Sequence, residues 1–331
     1  MSSMMRVGFI GAGGIAQRHL KVLKTMEDVQ IVGIYDISKE RTAEVAAQYG
    51  AKPFADPYEL IDPNVIDAVF VCTPPFARSD YETTAARKGV HLFAEKPPGL
   101  DLPEVEAKLD IIQRSGIITS SGHRDRYSPY IEKAQEFLVG RQIDLVHSIR
   151  YHGLPSQPWL SIMSTSGGQL VDQTIHDIDM IRYLLGDFKD VYARFTQRSL
   201  RQVNPLADIY DVGSVAFTLQ TGAVGSVTNT NLLPKRGRRE IMLIGNAFSI
   251  VINYSSQSIT VSEGADGQTF DFKVGNEPEM QTERQDRAFL DAVRTGNQQL
   301  VRCSYEEAYK TLKVVLAMNE SALSGQPVQI G

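Results

Sequence analysis

Two groups of polar residues in this sequence have types and spacing suited to acid–base chemistry. Asp172 and His176 are four positions apart, so on a helix both side chains lie on one face. A histidine that titrates near neutral pH exchanges protons readily, and a nearby aspartate can hydrogen-bond a substrate. Lys96 follows an apolar run, between Glu95 and Pro97, where an ammonium group can stabilise a developing alkoxide. A base and a cation are what removal of a hydride from an alcohol requires.

Each of these residues also has a simpler interpretation. An aspartate and a histidine at helical spacing often form a local ion pair or a helix cap, and most lysines are solvated surface residues. Asp172 and His176 could also ligate a metal, but the sequence shows no third ligand at a recognisable spacing. We therefore expect catalytic roles for Lys96, Asp172 and His176, and no metal site.

A glycine-rich segment near the N-terminus is suited to binding a dinucleotide. It follows an apolar strand, opens a helical pattern and reads Gly11-Ala12-Gly13-Gly14-Ile15-Ala16. In this motif the first glycine permits a tight turn, the second lets a pyrophosphate approach the backbone, and the small last residue allows close helix packing. The helix N-terminus offers free N–H groups to an anion. We expect cofactor contacts from Gly11, Gly13, Gly14, Ile15 and Ala16.

An acidic residue at the end of the second strand indicates which dinucleotide is bound. Asp36 lies 20 residues after Ala16, where a carboxylate accepts hydrogen bonds from the ribose hydroxyls of NAD. Its charge disfavours the 2′-phosphate of NADP, although Lys39 and Arg41 follow closely and soften that preference. A helix cap or a loop acid is the alternative interpretation of Asp36. NAD is the predicted cofactor, with NADP left as an alternative.

The motifs, taken in their order along the chain, resemble those of the glucose-fructose oxidoreductase/inositol dehydrogenase (Gfo/Idh/MocA) family. The resemblance spans essentially the whole chain. The segments that carry it are Gly11–Ala16, Thr73-Pro74-Pro75, Glu95-Lys96-Pro97, Arg126-Tyr127, Ser166-Gly167-Gly168, and Asp172-Gln173-Thr174-Ile175-His176 with Asp179.

This resemblance implies a role for several residues. It makes His176 the general acid/base and Asp172 its partner. Thr174 stands where the family usually has a glycine, which indicates a subfamily with its own substrate pocket. The resemblance also places further side chains at the cofactor, namely Thr73, Pro74, Glu95 and Lys96, and Arg126 near the substrate.

The predicted elements of the first third alternate between strands and helices. The strands are apolar on every residue, which is typical of a parallel sheet covered by helices on both faces. Such repeated units predict an α/β, doubly wound Rossmann domain over residues 1–123. The predicted strands are Arg6–Ile10, Gln30–Tyr35, Ala68–Cys72, His91–Ala94 and Ile117–Ser120, and the predicted helices are Gly13–Lys24, Ser38–Tyr49, Ala77–Lys88 and Leu102–Ser115.

The pattern changes after about residue 123, and residues 124–331 are predicted to form an α+β domain that binds substrate. A strand over Ile143–Tyr151 precedes a helix over 168–185, and a β-rich stretch from Val191 to Phe272 predicts a large, mainly antiparallel, open sheet. An uncovered apolar sheet face requires a partner, so we expect a homodimer or homotetramer. The closing helices, Pro278–Arg294 and Ser304–Leu323, are candidates for packing back on the first domain.

Composition argues against several other classes of protein. The chain has 331 residues, a formal net charge of −5 and two cysteines, so we expect no nucleic-acid partner and no disulfide framework. No apolar stretch is long enough to span a membrane, and we expect a cytoplasmic location. The basic cluster Lys235–Arg239 is interpreted as a solvated turn, with an anion contact or a subunit contact as alternatives.

The sequence therefore predicts an NAD(P)-dependent oxidoreductase that acts on a hydroxyl-bearing carbon of a sugar, sugar derivative or cyclitol. Trp159, the sole tryptophan, can stack on a sugar ring, or it can plug a domain interface. Two other functions stay open: a non-enzymatic NAD(P)-sensing regulator, and an enzyme that recycles NAD during glycoside cleavage. Retention of Lys96, Asp172 and His176 favours the oxidoreductase.

Overall fold

The computed structural model describes residues 4–154, 156–233, 237–264, 267–273 and 279–331. The chain divides into two units, one comprising Met1–Tyr127 with Pro278–Tyr309 and the other Ser128–Glu277 with Lys310–Gly331. Within the predicted basic cluster, Lys235 and Arg236 lie outside the described residues, as does Pro278 at the start of a predicted helix. In the described part of the chain, no helix combines the length and apolar character needed to cross a membrane.

The strands form two separate sheets. Among the described residues, six strands belong to the first unit and nine to the second. In chain order the strands are β1 Met5–Ile10, β2 Val29–Tyr35, β3 Lys52–Pro53, β4 Ala68–Val71, β5 His91–Ala94, β6 Thr119–Ser121, β7 Leu145–Tyr151, β8 Phe188–Thr196, β9 Val212–Leu219, β10 Val224–Thr230, β11 Arg238–Gly245, β12 Phe248–Asn253, β13 Ser258–Glu263, β14 Gln268–Lys273 and β15 Val328–Gln329.

The α-helices range from single turns to twenty residues. In chain order they are α1 Gly14–Leu23, α2 Lys39–Tyr49, α3 Pro57–Leu60, α4 Tyr81–Lys88, α5 Leu102–Ser115, α6 Pro129–Leu138, α7 Met163–Ser166, α8 Ile175–Leu185, α9 Leu200–Val203, α10 Met280–Thr295 and α11 Tyr305–Ser324.

The sheet of the first unit confirms the predicted parallel, doubly wound arrangement. Its strand order is β3-β2-β1-β4-β5-β6, and every neighbouring pair is parallel. The order reverses between β1 and β4, so the chain leaves these two strands toward opposite sides. In open α/β sheets, ligands bind beyond the carboxyl ends of the strands at such a reversal.

A column of aromatic rings forms the centre of the first unit's core. Phe9, Phe70 and Phe93 come from three adjacent strands and stack with ring centroids 4.8 and 4.7 Å apart. Phe289 of α10 meets Phe70 and Phe93 edge-on, at 5.7 and 5.6 Å. Edge-to-face and offset contacts of this kind are the favoured arrangements of aromatic rings. They explain why α10, although late in the chain, belongs to the first unit.

The sheet of the second unit is mainly antiparallel, as predicted. Its order is β14-β13-β12-β11-β7-β10-β9-β8-β15, and β7 with β10 is its parallel pair. Burial alternates along β9 and along the first half of β7, which is typical of a sheet with one covered face. The other face exposes large apolar side chains, among them Leu145, Val212, Val224 and Met242.

Local geometry differs from the predictions at several places. The helix predicted over 168–185 is π-helical at Leu170–Thr174 and α-helical only from Ile175. The helix predicted from Ala77 begins at Tyr81, because a 3₁₀ turn and a left-handed Ser79, with φ 48°, precede it. The α6 helix has no counterpart among the predicted elements.

Candidate active site

The glycine-rich turn joins β1 to α1 and lies against the end of β4. Gly11 has a φ of +92°, a conformation that side chains disfavour. A Cβ there would lie 2.9 Å from the carbonyl group of Cys72. The Gly11 N–H donates to the carbonyl oxygen of Tyr35 at 2.8 Å, which ties the turn to β2. A glycine is therefore required at position 11 by backbone conformation and by space.

The N-terminus of α1 meets the requirements of a pyrophosphate site. Gly13 is the N-cap, no side chain caps the helix, and its first turn has no acidic residue. A Cβ added at Gly13 or Gly14 would meet nothing within 4 Å, so space is open beside the free N–H groups. An anion at this end is stabilised by those N–H groups and by the helix dipole. The residues present thus fit the diphosphate of a dinucleotide.

Asp36 has a structural role beside the one predicted for it. One carboxylate oxygen accepts from the Ala12 N–H at 2.8 Å, and the other accepts from the Ser38 N–H at 3.0 Å. Arg41 donates to the Ala12 carbonyl oxygen at 3.1 Å and pairs with Glu44 at 3.0 Å. Asp36 therefore helps to shape the glycine-rich turn. Each carboxylate oxygen can accept a further hydrogen bond, so contact with a ribose stays a prediction.

Asp36→Ala is expected to weaken NAD binding more than NADP binding. Loss of a charged acceptor removes about 1.5–3 kcal/mol, which is roughly ten- to a hundredfold in Kd for NAD. NADP loses less, because the same substitution removes the repulsion of its 2′-phosphate. Titration calorimetry with both nucleotides measures the two constants, and circular dichroism checks that the turn still folds. An equal or greater loss for NADP would contradict the assignment.

The other residues predicted at the cofactor follow the ends of β4 and β5. Thr73 and Pro74 follow β4 after one intervening residue and are half-buried. Lys96, also half-buried, comes two residues after β5. The Glu95 carboxylate instead lies inside the unit, where it contacts His19 at 3.1 Å and accepts from the Lys96 N–H at 3.0 Å. A direct cofactor contact from Glu95 stays a prediction.

Two residues predicted near the substrate have other contacts in the structure. Arg126 is buried, donates to the carbonyl oxygen of Arg302 at 2.5 Å and lies 3.4 Å from Glu307. Trp159 is half-buried in a 3₁₀ turn, and its indole N–H donates to Gln157 at 2.8 Å. Substrate contact by Arg126 or Trp159 stays a prediction.

Asp172 and His176 lie on consecutive helical segments of the second unit. Asp172 is in the π-helical turn, His176 is the second residue of α8, and both side chains are half-buried. π-Helical turns within α-helices are frequent at functional sites. Thr174, between the two residues, is buried and accepts a hydrogen bond from Asn229 of β10 at 3.2 Å. The structure thus places the two predicted residues on adjoining helical segments of one unit, while Lys96 belongs to the other unit.

A buried ion pair fixes α8 to the sheet beneath it. The Asp177 carboxylate is fully buried and pairs with Arg150 at 3.0 Å and with Arg239 at 2.6 Å. Burial, followed by the charges of these two arginines, lowers the pKa of His152 to about 4. This network was not predicted from the sequence. The available signal was the position of Arg150, on the inward-facing side of an apolar strand.

Comparison with known proteins agrees with the class that the geometry defines. A parallel sheet with an open glycine-rich turn at its strand reversal is characteristic of a dinucleotide-binding oxidoreductase domain. Residues 5–123 match the family described as "Oxidoreductase family, NAD-binding Rossmann fold", and residues 139–251 match the "GFO/IDH/MocA C-terminal domain". The chain belongs to the GFO/IDH/MocA family and is an NAD-dependent oxidoreductase.

Individual relatives extend the similarity to the full chain. The chain is 32% identical over 230 residues to myo-inositol 2-dehydrogenase of Thermotoga maritima, covering 68% of each protein. It is 29% identical over 350 residues to scyllo-inositol 2-dehydrogenase (NAD(+)) of Bacillus subtilis, covering 100% of this chain and 97% of the relative. The structure of levoglucosan dehydrogenase with NADH and L-sorbose shares the fold, with a TM-score of 0.89, 24% identity and full coverage of both chains.

Proposed function

We propose that the protein oxidises a hydroxyl-bearing carbon of a cyclitol, sugar or sugar derivative and transfers the hydride to NAD. The observation that carries this proposal is the presence of Lys96 just after β5, together with Asp172 and His176 on consecutive helical segments of the second unit. Similarity to two inositol dehydrogenases supports the substrate class. The predicted cytoplasmic location stays a prediction.

Different residues of the chain bind the cofactor, accept the proton and stabilise charge during alcohol oxidation. The glycine-rich turn and the N-terminus of α1 bind the diphosphate, and Asp36 binds the adenosine ribose. Bound NAD supplies the hydride acceptor. His176, in its neutral form, accepts the hydroxyl proton, and Asp172 hydrogen-bonds the substrate and orients it. The Lys96 ammonium stabilises the negative charge that develops on the substrate oxygen.

A substrate panel tests this function against its two alternatives. The purified protein is incubated with NAD and, separately, with myo-inositol, scyllo-inositol, levoglucosan and glucose, while nicotinamide absorbance is followed. An oxidoreductase accumulates reduced nicotinamide with at least one member. A regulator binds NAD without turnover, and an enzyme that recycles its cofactor during glycoside cleavage gives no net reduction. Absence of accumulation with every member, despite measured NAD binding, would refute the proposal.

We also propose that the open face of the second unit's sheet joins copies of this chain into a homodimer or homotetramer. Leu145 and Val224 are register partners on adjacent strands, and they expose 43% and 51% of their surfaces. Val212 and Met242 lie on the same face and expose 42% and 36%. Large apolar side chains exposed on one face of a sheet commonly mark an interface between proteins.

Val224→Asp is expected to dissociate the assembly. A carboxylate buried without a partner costs several kcal/mol, so the dissociation constant rises by roughly a hundredfold or more. Sedimentation velocity at micromolar concentration measures the change. Val139→Asp is the matched control, because Val139 follows α6 and is 79% exposed. A wild-type protein that sediments only as a monomer would contradict the assembly, and dissociation by both variants would contradict the choice of face.

A further inference from the structure

A buried histidine of the cofactor-binding helix lies between two buried carboxylates. His19, on α1, is 1% exposed. Its Nδ1 lies 2.8 Å from both carboxylate oxygens of Asp286 on α10, and its Nε2 lies 3.1 Å from the Glu95 carboxylate. A neutral imidazole has only one N–H, whereas an imidazolium donates from both nitrogens. The geometry at both ring nitrogens is therefore that of a charged histidine.

The surroundings of His19 support the charged form. Its ring packs against Phe70 and Phe93, with centroids 5.5 and 4.8 Å away, so water is excluded. Burial opposes the charge and is the largest single effect on this group. The charge and hydrogen bond of Asp286, together with those of Glu95, outweigh it and raise the pKa of His19 to about 9.

Glu95 connects this histidine to Lys96. One Glu95 carboxylate oxygen contacts His19, and the other accepts from the Lys96 backbone N–H at 3.0 Å. A Cβ at Gly122 would clash with the same carboxylate, so the backbone after β6 confines it. Burial raises the pKa of Glu95, but the hydrogen bond and charge of His19, with the charges of Lys96 and Arg124, lower it overall. Glu95 is thus an anion held in one place.

A second buried group holds the peptide bond that precedes Lys96. The Arg78 guanidinium donates to the Glu95 carbonyl oxygen, and it pairs with Glu82 at 2.7 Å. Arg78 and Glu82 are both fully buried. Tyr305 also donates to Glu82, at 3.0 Å. The carbonyl and the N–H of the Glu95–Lys96 peptide are therefore both fixed by side chains of the first unit.

We propose that His19 is a positioning residue for Lys96, and that it acts through the Glu95 carboxylate. By holding Glu95, it fixes the peptide from which the Lys96 side chain extends, and it links that peptide to α1 and to the glycine-rich turn at the start of α1. These contacts thereby fix the position of the Lys96 ammonium group relative to the cofactor site. This inference rests on the function proposed above, in which Lys96 stabilises charge on the substrate oxygen.

Two substitutions of His19 separate its contacts. The amide nitrogen of asparagine is placed near the position of Nδ1, and that of glutamine near Nε2. His19→Asn therefore keeps a donor toward Asp286 and loses the contact with Glu95, whereas His19→Gln does the reverse. We expect His19→Asn to lower kcat by about ten- to a hundredfold, the scale of a misplacement of about 1 Å, with KM and the Kd for NAD within about threefold of wild type. His19→Gln recovers most of the lost kcat.

A double-mutant cycle shows whether the effect passes through Lys96. If it does, His19→Asn lowers kcat in the wild type but has little further effect in Lys96→Ala. A merely structural histidine gives multiplicative losses in the two backgrounds, and its two variants lose activity in proportion to their thermal stability. Asp291→Asn, on the surface of α10, is the control. Should His19→Asn not fold, Glu95→Gln is used in the same cycle, with the same non-additive loss expected, because an amide has one acceptor oxygen and cannot accept from both His19 and the Lys96 N–H on separate oxygens.

The outcomes distinguish this inference from the proposed function. A Lys96→Ala enzyme with normal turnover refutes the role of Lys96 and therefore the function on which the inference rests. If Lys96→Ala is slow but the losses from His19→Asn and Lys96→Ala multiply in the double mutant, only the positioning role of His19 is refuted. Equal activities of His19→Asn and His19→Gln would also overturn it, because Glu95 would then not be the contact that matters.

Discussion

Lys96→Ala is expected to lower kcat by about a hundred- to a thousandfold, which is the usual effect of removing one charge-stabilising group from an active site. The ammonium is needed when negative charge develops on the substrate oxygen, so the loss falls on kcat more than on KM. The backbone of Lys96 is fixed by the Glu95 carboxylate and by Arg78, and alanine preserves both contacts. Steady-state kinetics under saturating NAD measures the effect.

Lys96→Arg tests whether any cation suffices at this position. A planar guanidinium does not reproduce a compact ammonium, so we expect only partial recovery. Lys189→Ala is the control, because Lys189 is an exposed lysine on β8. Near-normal turnover of Lys96→Ala, or full recovery by Lys96→Arg, would contradict the proposed role.

His176→Asn is expected to lower turnover by about a hundredfold or more and to remove one limb of the pH profile. As the base in alcohol oxidation, His176 must be neutral to accept a proton. Turnover of the wild type therefore falls as the pH decreases through the pKa of His176 in the enzyme–substrate complex. In His176→Asn that decrease is absent. NAD binding survives, because the glycine-rich turn and Asp36 belong to the other unit.

Asp172→Asn distinguishes the partner from the base. The amide keeps the shape of the side chain but loses its charge, so turnover falls while the acid limb that belongs to His176 remains. A His176→Asn enzyme with near-normal turnover and an unchanged pH profile would contradict the scheme. The proton would then pass to Asp172, Lys96 or water, and the shared helix face would carry no functional meaning.

The elements that position the cofactor could be predicted because their signals are local. The glycine-rich turn, the strands beside it and Asp36 lie within a short stretch of chain, and both the periodicity and the spacing are visible in the sequence. The contact between Asp36 and the Ala12 N–H was not predicted. That contact exists only once β1 and β2 lie side by side.

The helix that carries Asp172 and His176 was predicted in position but not in geometry. No proline or glycine interrupts residues 170–185, so the sequence indicates a single continuous helix. The observed π-helical turn carries a contact that is distant in sequence, between Thr174 and Asn229, 55 residues apart. Contacts between residues this far apart cannot be read from a local sequence pattern, so the π-helical turn was not predicted.

His19 shows why a buried functional group can escape sequence analysis. A single histidine on the apolar face of α1 resembles an ordinary core residue, and no motif around it indicates a role. Its partner Asp286 is 267 residues away, on a helix that reaches it through the packing of Phe289. The available signal was Asp286 itself, an acid on the apolar face of a late amphipathic helix.

The most direct test of the proposed oxidation follows the hydrogen that leaves the substrate. The panel member that turns over best is prepared with deuterium on its hydroxyl-bearing carbons, and the reduced nicotinamide is analysed by NMR and mass spectrometry. We predict one deuterium on the nicotinamide ring per molecule of ketone formed, with reduced cofactor accumulating in step with the ketone. Deuterium that returns to the sugar without net reduction, or is lost to solvent, would contradict oxidation by hydride transfer to NAD.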